Sequence, residues 1–435
     1  MSTTDSLTVA IVGGGQAGFQ AAASLRELGF AGTVRIFGAE AYLPYQRPPL
    51  SKTYLKDDHP PDKVYLRPER FFAEKSIEMH AGARVAAIDR AKHTLTLANG
   101  ETAAWDHLVL ATGVVNRRLP VPGADLDGVF TLRGLDDAHL IRPRLKTARR
   151  IVIVGGGVIG LEVAGLARGL GIAVDIIELG DRLAGRIGSA ALSEYFLHFH
   201  RSLGSTVHLN AGVREIEGRN GEVAAMHLSP GARVETDLVL VCIGVAPDTA
   251  LAQAAGLDVR DGIVVDEFAR TSDPAILAAG DCTRFKPAHG VLDSIRLESV
   301  QNAIDQAKCA AATIFAACSG AGANASVAAC SGAGANASVA KLRAYDALPW
   351  FWSDQGSLKL QIAGLTAGHD HAIVKADPVK GTMAVYCFAN GELIGVECVN
   401  RPADFMAARR VLGARRVVRV SDVEKPDFEL KAFMA

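Results

Sequence analysis

Two glycine-rich turns, each set between an apolar run and a helical pattern, constrain this 435-residue chain more than any other feature. In the first, Leu7–Val12 reads as a strand, residues 13–18 as a tight turn with Gly13, Gly15 and Gly18 at its key positions, Phe19–Leu28 as a helix and Val34–Phe37 as the next strand. About 140 residues later the pattern repeats: strand Ile151–Val154, a turn with Gly155, Gly157 and Gly160, helix Leu161–Leu170 and strand Ala173–Glu178. Glycine is needed there because the chain must reverse sharply, its backbone must approach a pyrophosphate closely, and helix must pack on strand. The free N–H groups and positive dipole end of the following helix then hold the phosphates without a basic side chain. One such turn alone is a weak signal; two in full strand, turn, helix and strand context predict two dinucleotide sites.

Apolar β-rich runs alternate with Ala/Leu-rich helical patterns, which predicts an α/β architecture of two Rossmann-like domains with largely parallel sheets. The length exceeds what one core serves, so two or three domains are expected. With 49% hydrophobic and 21% charged residues the composition is that of a globular protein and excludes disordered and disulfide-scaffold classes. A net charge of −1 gives no global field for nucleic acid or an anionic membrane. Locally, Arg401, Arg409, Arg410, Arg415, Arg416 and Arg419 face one acid, Asp404, which reads either as a solvated helix face or as a docking patch for an acidic partner.

The polar start runs straight into an apolar strand without the features of a signal peptide, and cytoplasmic residence is the expectation. Seven cysteines without paired spacing suit a reducing compartment. From Cys309 to Ala340 there is no charged residue, and ACSGAGANASVA occurs at Ala317–Ala328 and again at Ala329–Ala340. Its Gly, Ser, Asn and Ala content predicts a flexible linker rather than a membrane span or packed core.

Hydride exchange between two dinucleotides calls for a bound flavin and a transient nicotinamide. Glu178 ends the second strand of the second unit, where a carboxylate accepts hydrogen bonds from ribose hydroxyls and repels a 2′-phosphate, favouring NADH. Arg182 nearby leaves NADPH open.

Beyond these turns, Leu43–Lys52 (LPYQRPPLSK), Ala111, Thr112 and Gly113 after the strand Leu108–Leu110, and Ala278–Cys282 (AAGDC) resemble the FAD domain of the glutathione-reductase-like ferredoxin reductases. That family serves the ferredoxins of Rieske-type ring-hydroxylating dioxygenases and of bacterial cytochromes P450. The similarity continues through Arg296–Asn302, Pro349–Gln355 and Asn400–Met406, leaving only the duplicated segment outside.

The resemblance implies FAD at the first unit and NADH at the second. It implies Glu40 near the FAD ribose, Arg47 on the FAD, and Gly280 with Asp281 beside the ribityl chain, while Gly244 and Val300 belong to the same cofactor-binding set. Val300 stands where some relatives carry tryptophan, and the helix beginning near Ser299 aims its N-terminus at the flavin pyrimidine ring. Lys52 and Glu162 match positions that form an ion pair beside the flavin, and pairing accounts for two charges that would be costly to bury singly. Trp352 matches a residue between flavin and docked ferredoxin, although tryptophans such as Trp350 and Trp352 are more commonly core aromatics. A [2Fe–2S] ferredoxin would dock near Trp352, Lys308 and the Arg401–Arg419 region.

The first cysteine is Cys242, so no thiol pair stands near residues 40–55 to relay electrons as in disulfide reductases of this architecture. Reduced flavin must then pass electrons outward directly. The expected partition is an FAD-binding domain over 1–115 and 245–316, an NADH-binding domain over 116–244, a linker over 317–340 and an α+β interface domain over 341–435. In the last, strand-like runs at Leu358–Ile362, His371–Lys375, Met383–Phe388 and Leu393–Val399 precede a helical Arg401–Leu412, and Asn390-Gly391 signals a hairpin. Other function classes stay open: a flavin NADH dehydrogenase with a small-molecule or rubredoxin acceptor, and a non-enzymatic NADH-responsive flavoprotein.

Overall fold

Val9, Ala10, Ile11 and Val12 are all buried, as a central parallel strand covered on both faces requires. A computed structural model of the chain, which describes residues 6–319 and 342–434, places them in a five-stranded sheet. Its order is Ile276–Ala278, His107–Leu110, Thr8–Val12, Thr33–Phe37 and Ile77–His80, parallel throughout. The chain therefore returns to its first sheet after building a second. Helices Gln16–Glu27 and Val300–Cys318 pack together through alanines, among them Ala17, Ala21, Ala303 and Ala307. Small side chains let the two helices approach closely against the sheet.

The second sheet is ordered Thr206–His208, Ala173–Ile177, Arg150–Val154, Leu238–Val241 and Val129–Thr131, again all parallel. The third is antiparallel, in the order Trp350–Gln355, Leu358–Gly364, Glu392–Val399, Thr382–Ala389 and His371–Asp377. One of its faces is covered by the helix Pro402–Gly413. The other shares a core with helices Val158–Gly169 and Ala190–Ser202 of the second unit. Gly165 permits that approach, since a Cβ there would lie 3.0 Å from the Gly356 amide nitrogen.

Both nucleotide-unit helices begin three residues earlier than the turn-then-helix reading predicts, at Gln16 and Val158. Gly18 and Gly160 thus lie inside helices rather than in turns, because the helix starts at the glycine N-caps Gly15 and Gly157. The strand read as Ala173–Glu178 stops at Ile177, leaving Glu178 just past its end. The expected hairpin forms: Asn390 and Gly391 have φ of 52° and 77°, and Ala389 pairs with Glu392 across the two-residue loop.

Two smaller antiparallel sheets, built on Val85–Asp89 and on Gly212–Arg219, escape the sequence pattern because their strands are half exposed and mixed in polarity. Most of the duplicated segment for which a linker is expected, residues 320–340, lies outside the described residues. Among the described residues, no helix is long and apolar enough to cross a membrane.

Candidate active site

The two glycine turns are built alike. A Cβ at Gly13 would lie 2.1 Å from the Ala111 carbonyl oxygen, and one at Gly18 only 1.9 Å from the Gly13 carbonyl oxygen. The same positions of the second unit, Gly155 and Gly160, would meet the Cys242 and Gly155 carbonyl oxygens at 2.3 and 2.5 Å. The middle glycines behave differently: around Gly15 and Gly157, chain neighbours aside, no atom of the described residues lies within 4 Å of a Cβ. The outer glycines are therefore required by the protein itself, whereas the middle ones face open space at a helix N-terminus. That is the room a pyrophosphate takes, so the residues present fit a dinucleotide at each turn.

Around the first turn, Thr112 donates its hydroxyl to the Asp248 carbonyl at 2.6 Å, and Gly113 has φ of 72° with the Arg133 guanidinium beside it. Gly280 has φ of 87° and packs against Ala17, so the Gly280-Asp281 bend sits over the start of the first helix. Burial pushes the Asp281 carboxyl up to about 6, opposed by Arg133 at 3.8 Å. A carboxyl held there accepts or donates a hydrogen bond to a hydroxylated chain.

Lys52 and Glu162, distant in sequence, meet at 2.7 Å with Glu162 only 4% exposed. Glu162 also takes the Ser51 hydroxyl, the Ser353 hydroxyl at 2.7 Å and the Asp354 amide at 3.3 Å. A cleft of 540 Å³ opens beside Lys52 and is lined also by Gln16, Pro49, Val300, Trp352 and Asp354. Val300 is the first residue of its helix, which Ser299 caps by accepting the Asn302 amide at 3.1 Å. Trp352 and Trp350 have ring centroids 5.5 Å apart, and Arg409 lies 4.7 Å over Trp350.

At the second turn the Glu178 carboxylate accepts the backbone amides of Gly156 and Gly180, each at 2.7 Å. Gly244, with φ of 93°, lies beside the Arg186 guanidinium. All six cysteines among the described residues are free, and Cys242 is pushed up to about 12 by burial, so it offers no thiolate.

The sequence pattern of the pyridine nucleotide-disulphide oxidoreductases matches residues 7–307, and that of the reductase C-terminal domain matches residues 350–434. The chain belongs to the pyridine nucleotide-disulphide oxidoreductases. Within that family it is 41% identical to rhodocoxin reductase of Rhodococcus erythropolis, over 99% of this chain and 95% of the relative. The solved ferredoxin reductase for the CYP199A2 system from Rhodopseudomonas palustris superposes with a TM-score of 0.89 at 40% identity, covering 98% of this chain and all of that one. The reductase in the covalent putidaredoxin reductase–putidaredoxin complex superposes equally well at 34% identity, covering 99% of this chain and 98% of that chain. Membership gives this oxidoreductase flavin and nicotinamide cofactors, and its relatives are ferredoxin reductases of oxygenase and P450 systems.

The structure adds detail at three residues of this oxidoreductase. Gly38, not Glu40, stands where Glu178 stands in the second unit, one residue past the strand end. Glu40 lies two residues further on, and its carboxylate is taken by the Arg47 guanidinium at 2.5 Å and by the Tyr45 hydroxyl. Arg133 has no signal in the sequence, because a lone arginine in a strand-to-helix loop carries no pattern; only the fold brings it beside Gly113 and Asp281. Gln306 was likewise silent, yet its side-chain oxygen holds the Gly280 amide and the Thr283 hydroxyl, both at 2.8 Å.

The arginine-rich region divides on folding. Arg401 pairs with Asp404 at 2.6 Å, Arg415 with Asp346 at 2.5 Å and Arg419 with Glu392 at 3.9 Å. Arg409 lies over Trp350 and Phe405 instead. Lys308 stands on the same helix as the cleft residues Val300 and Ile304 and faces Asp305 at 3.7 Å.

Proposed function

We propose that this chain is an FAD-dependent NADH:ferredoxin oxidoreductase that passes electrons singly to a [2Fe–2S] ferredoxin feeding a Rieske-type oxygenase or a cytochrome P450. The observation that carries the reading is one cleft bordered by Lys52, Val300 and Trp352, with Glu162 buried behind Lys52 and no cysteine among its lining residues. Bound FAD supplies two-electron acceptance from a nicotinamide and one-electron delivery to an iron–sulfur centre. The protein's part is to bind, orient and tune.

Gly13, Gly15 and Gly18 would hold the FAD pyrophosphate, with Arg47 and Arg133 as nearby cations and Asp281 at the ribityl chain. Glu40 would lie near the FAD ribose, with Arg47 and Tyr45 fixing its carboxylate. The Lys52 ammonium and the helix N-terminus at Val300 set positive potential beside the flavin and favour its anionic reduced form. Gly155, Gly157 and Gly160 would hold NADH, with Gly244 at the edge of its site. NADH is favoured over NADPH by Glu178 and by the orientation of Arg182, whose guanidinium is spent on the Gly185 and Gly188 carbonyls and the Ser193 hydroxyl.

The partition 1–115 with 245–316, 116–244 and 341–435 is supported by the return of Ile276–Ala278 to the first sheet. An acidic ferredoxin is assigned to the face carrying Trp352, Lys308 and the arginines of 401–419, in the cytoplasm. The test is extraction of the bound flavin followed by anaerobic stopped-flow reduction with each nicotinamide. FAD with fast reduction by NADH and slower reduction by NADPH supports the reading; FMN, or no flavin, contradicts it.

A further inference from the structure

Glu162 draws its hydrogen bonds from two sides. Oε2 faces Lys52 and Ser51, whereas Oε1 faces Ser353 and the Asp354 amide, which belong to the Trp350–Gln355 strand of the third sheet. Behind Ser353 the contacts continue: Gln355 Nε2 lies 3.4 Å from Ser353 Oγ, and Gln355 Oε1 lies 2.9 Å from His200 Nε2. Ser353, Gln355 and His200 are wholly buried. Nothing in the ion pair itself requires this second tier of polar groups, and buried polar groups are costly unless each is satisfied.

The chemistry of the three side chains gives the chain of contacts a direction. Burial lowers the His200 pKa, so the ring is neutral at pH 7 and carries one N–H. An amide oxygen only accepts, so that proton sits on Nε2 and is donated to Gln355. His200 Nδ1 is then the bare nitrogen, in keeping with its lack of a partner among the described residues. Gln355 is left to donate its N–H to Ser353 Oγ, and Ser353 to donate its own proton to Glu162. Every link points its donor toward the carboxylate, and bonds chained in this way polarise one another in a low-dielectric interior.

We propose that His200, Gln355 and Ser353 form a buried donor relay that positions Glu162 for Lys52 and tunes the charge beside the flavin. They are positioning residues, not catalytic ones. The inference rests on the flavin-reductase reading and adds to it a second role for the third domain. Along the Trp350–Gln355 strand successive side chains alternate in direction, so Trp352 faces the cleft while its neighbour Ser353 faces Glu162. The strand assigned to electron exit therefore also holds the carboxylate on the hydride side.

The test compares Ser353→Ala, Ser353→Thr, Gln355→Glu and Lys52→Met as FAD-loaded proteins, by stopped-flow reduction with NADH and by the flavin midpoint potential. In Ser353→Ala the limiting rate of flavin reduction falls about tenfold while the NADH dissociation constant stays within about twofold, because the lost interaction acts on the reacting centre and not on substrate binding. Its midpoint potential moves negative, since a carboxylate with one donor fewer leaves more negative charge beside the flavin. Ser353→Thr, which keeps the hydroxyl, restores both. Gln355→Glu replaces the donating nitrogen at nearly constant shape, shifts rate and potential in the same direction, and decides the matter should Ser353→Ala not retain FAD. A Ser353→Ala or Gln355→Glu protein with wild-type rate and potential overturns the relay, as does an equal defect in Ser353→Thr. Where Lys52→Met is also normal, the flavin-side reading of the ion pair has failed; where Lys52→Met alone is slow, only the relay has.

Discussion

Glu178 spends one oxygen on each of two backbone amides, so its carboxylate is fixed in place, with a lone pair on each oxygen left for a ribose. In the proposed NADH site, removing it would take away both a 2′-hydroxyl acceptor and the charge that repels a 2′-phosphate. Glu178→Ala is therefore expected to lower kcat/KM with NADH by about tenfold or more and with NADPH much less; equal losses with both would remove Glu178 from the ribose. Asp281 yields a pH prediction. Its carboxyl titrates near 6 in the folded protein against 3.8 for the unfolded chain, so the folded state holds the extra proton between those values. Stability of the FAD-free protein accordingly falls as pH rises from about 4 to about 6 and stays lowered above that. Asp281→Asn should raise the melting temperature of the FAD-free protein at pH 8, by at most about 3 kcal/mol of stability, leave it unchanged at pH 4, and weaken FAD retention. Thermal melts at both pH values check the sign. The place of Glu178, next after the strand Ala173–Ile177, was legible from the strand pattern. The Lys52–Glu162 pair was not readable from spacing, since a contact between residues so far apart in sequence has no periodicity; only the resemblance joined them. Arg133 and Gln306 carried neither signal.

The strand, turn and helix unit translates composition into a site, and its glycines separate into two kinds that the motif alone does not distinguish. Gly18→Ala forces a Cβ into the Gly13 carbonyl and should destabilise the protein by about 1–3 kcal/mol or more, with or without FAD. Gly15→Ala meets open space and needs no unusual φ, so the fold should survive with little change in melting temperature while FAD affinity drops. A Gly15→Ala protein that keeps full FAD content would show that no phosphate approaches there. The inner parallel strands Thr8–Val12, His107–Leu110, Arg150–Val154 and Ala173–Ile177 were legible because their runs are largely apolar, whereas Ile77–His80, Val129–Thr131 and Thr206–His208 are short or partly exposed and carry no such run. The helix starts were misplaced because the six-residue glycine motif reads as turn throughout, whereas each helix begins just after its middle glycine. The Trp350–Gln355 strand was read only as a motif. Its mixture of aromatic, hydroxyl and amide side chains follows its two faces, with Trp352 toward the cleft and Ser353 and Gln355 toward the buried contacts of Glu162 and His200.

For the whole molecule, the third sheet is tied to the second unit by buried polar bonds as well as by apolar packing: Glu397, wholly buried, accepts the Ser189 amide at 2.8 Å and its hydroxyl at 2.6 Å. The net charge of −1 hid the uneven placement of arginines, and folding pairs three of them internally, leaving Arg409 over Trp350. Arg409→Glu with Arg410→Glu should raise the KM for an acidic ferredoxin by about tenfold at low ionic strength, with the difference shrinking as salt is added and NADH-driven flavin reduction unchanged. An unchanged KM would move the docking face elsewhere. The acceptor of the electrons defines the proposed function. The most direct measurement is NADH oxidation by the FAD-loaded protein coupled to cytochrome c, with and without a panel of [2Fe–2S] ferredoxins, and with rubredoxin and a quinone as comparison acceptors. A ferredoxin reductase gives fast turnover that depends on a ferredoxin; turnover equally fast with the quinone or with no protein acceptor overturns the proposed function.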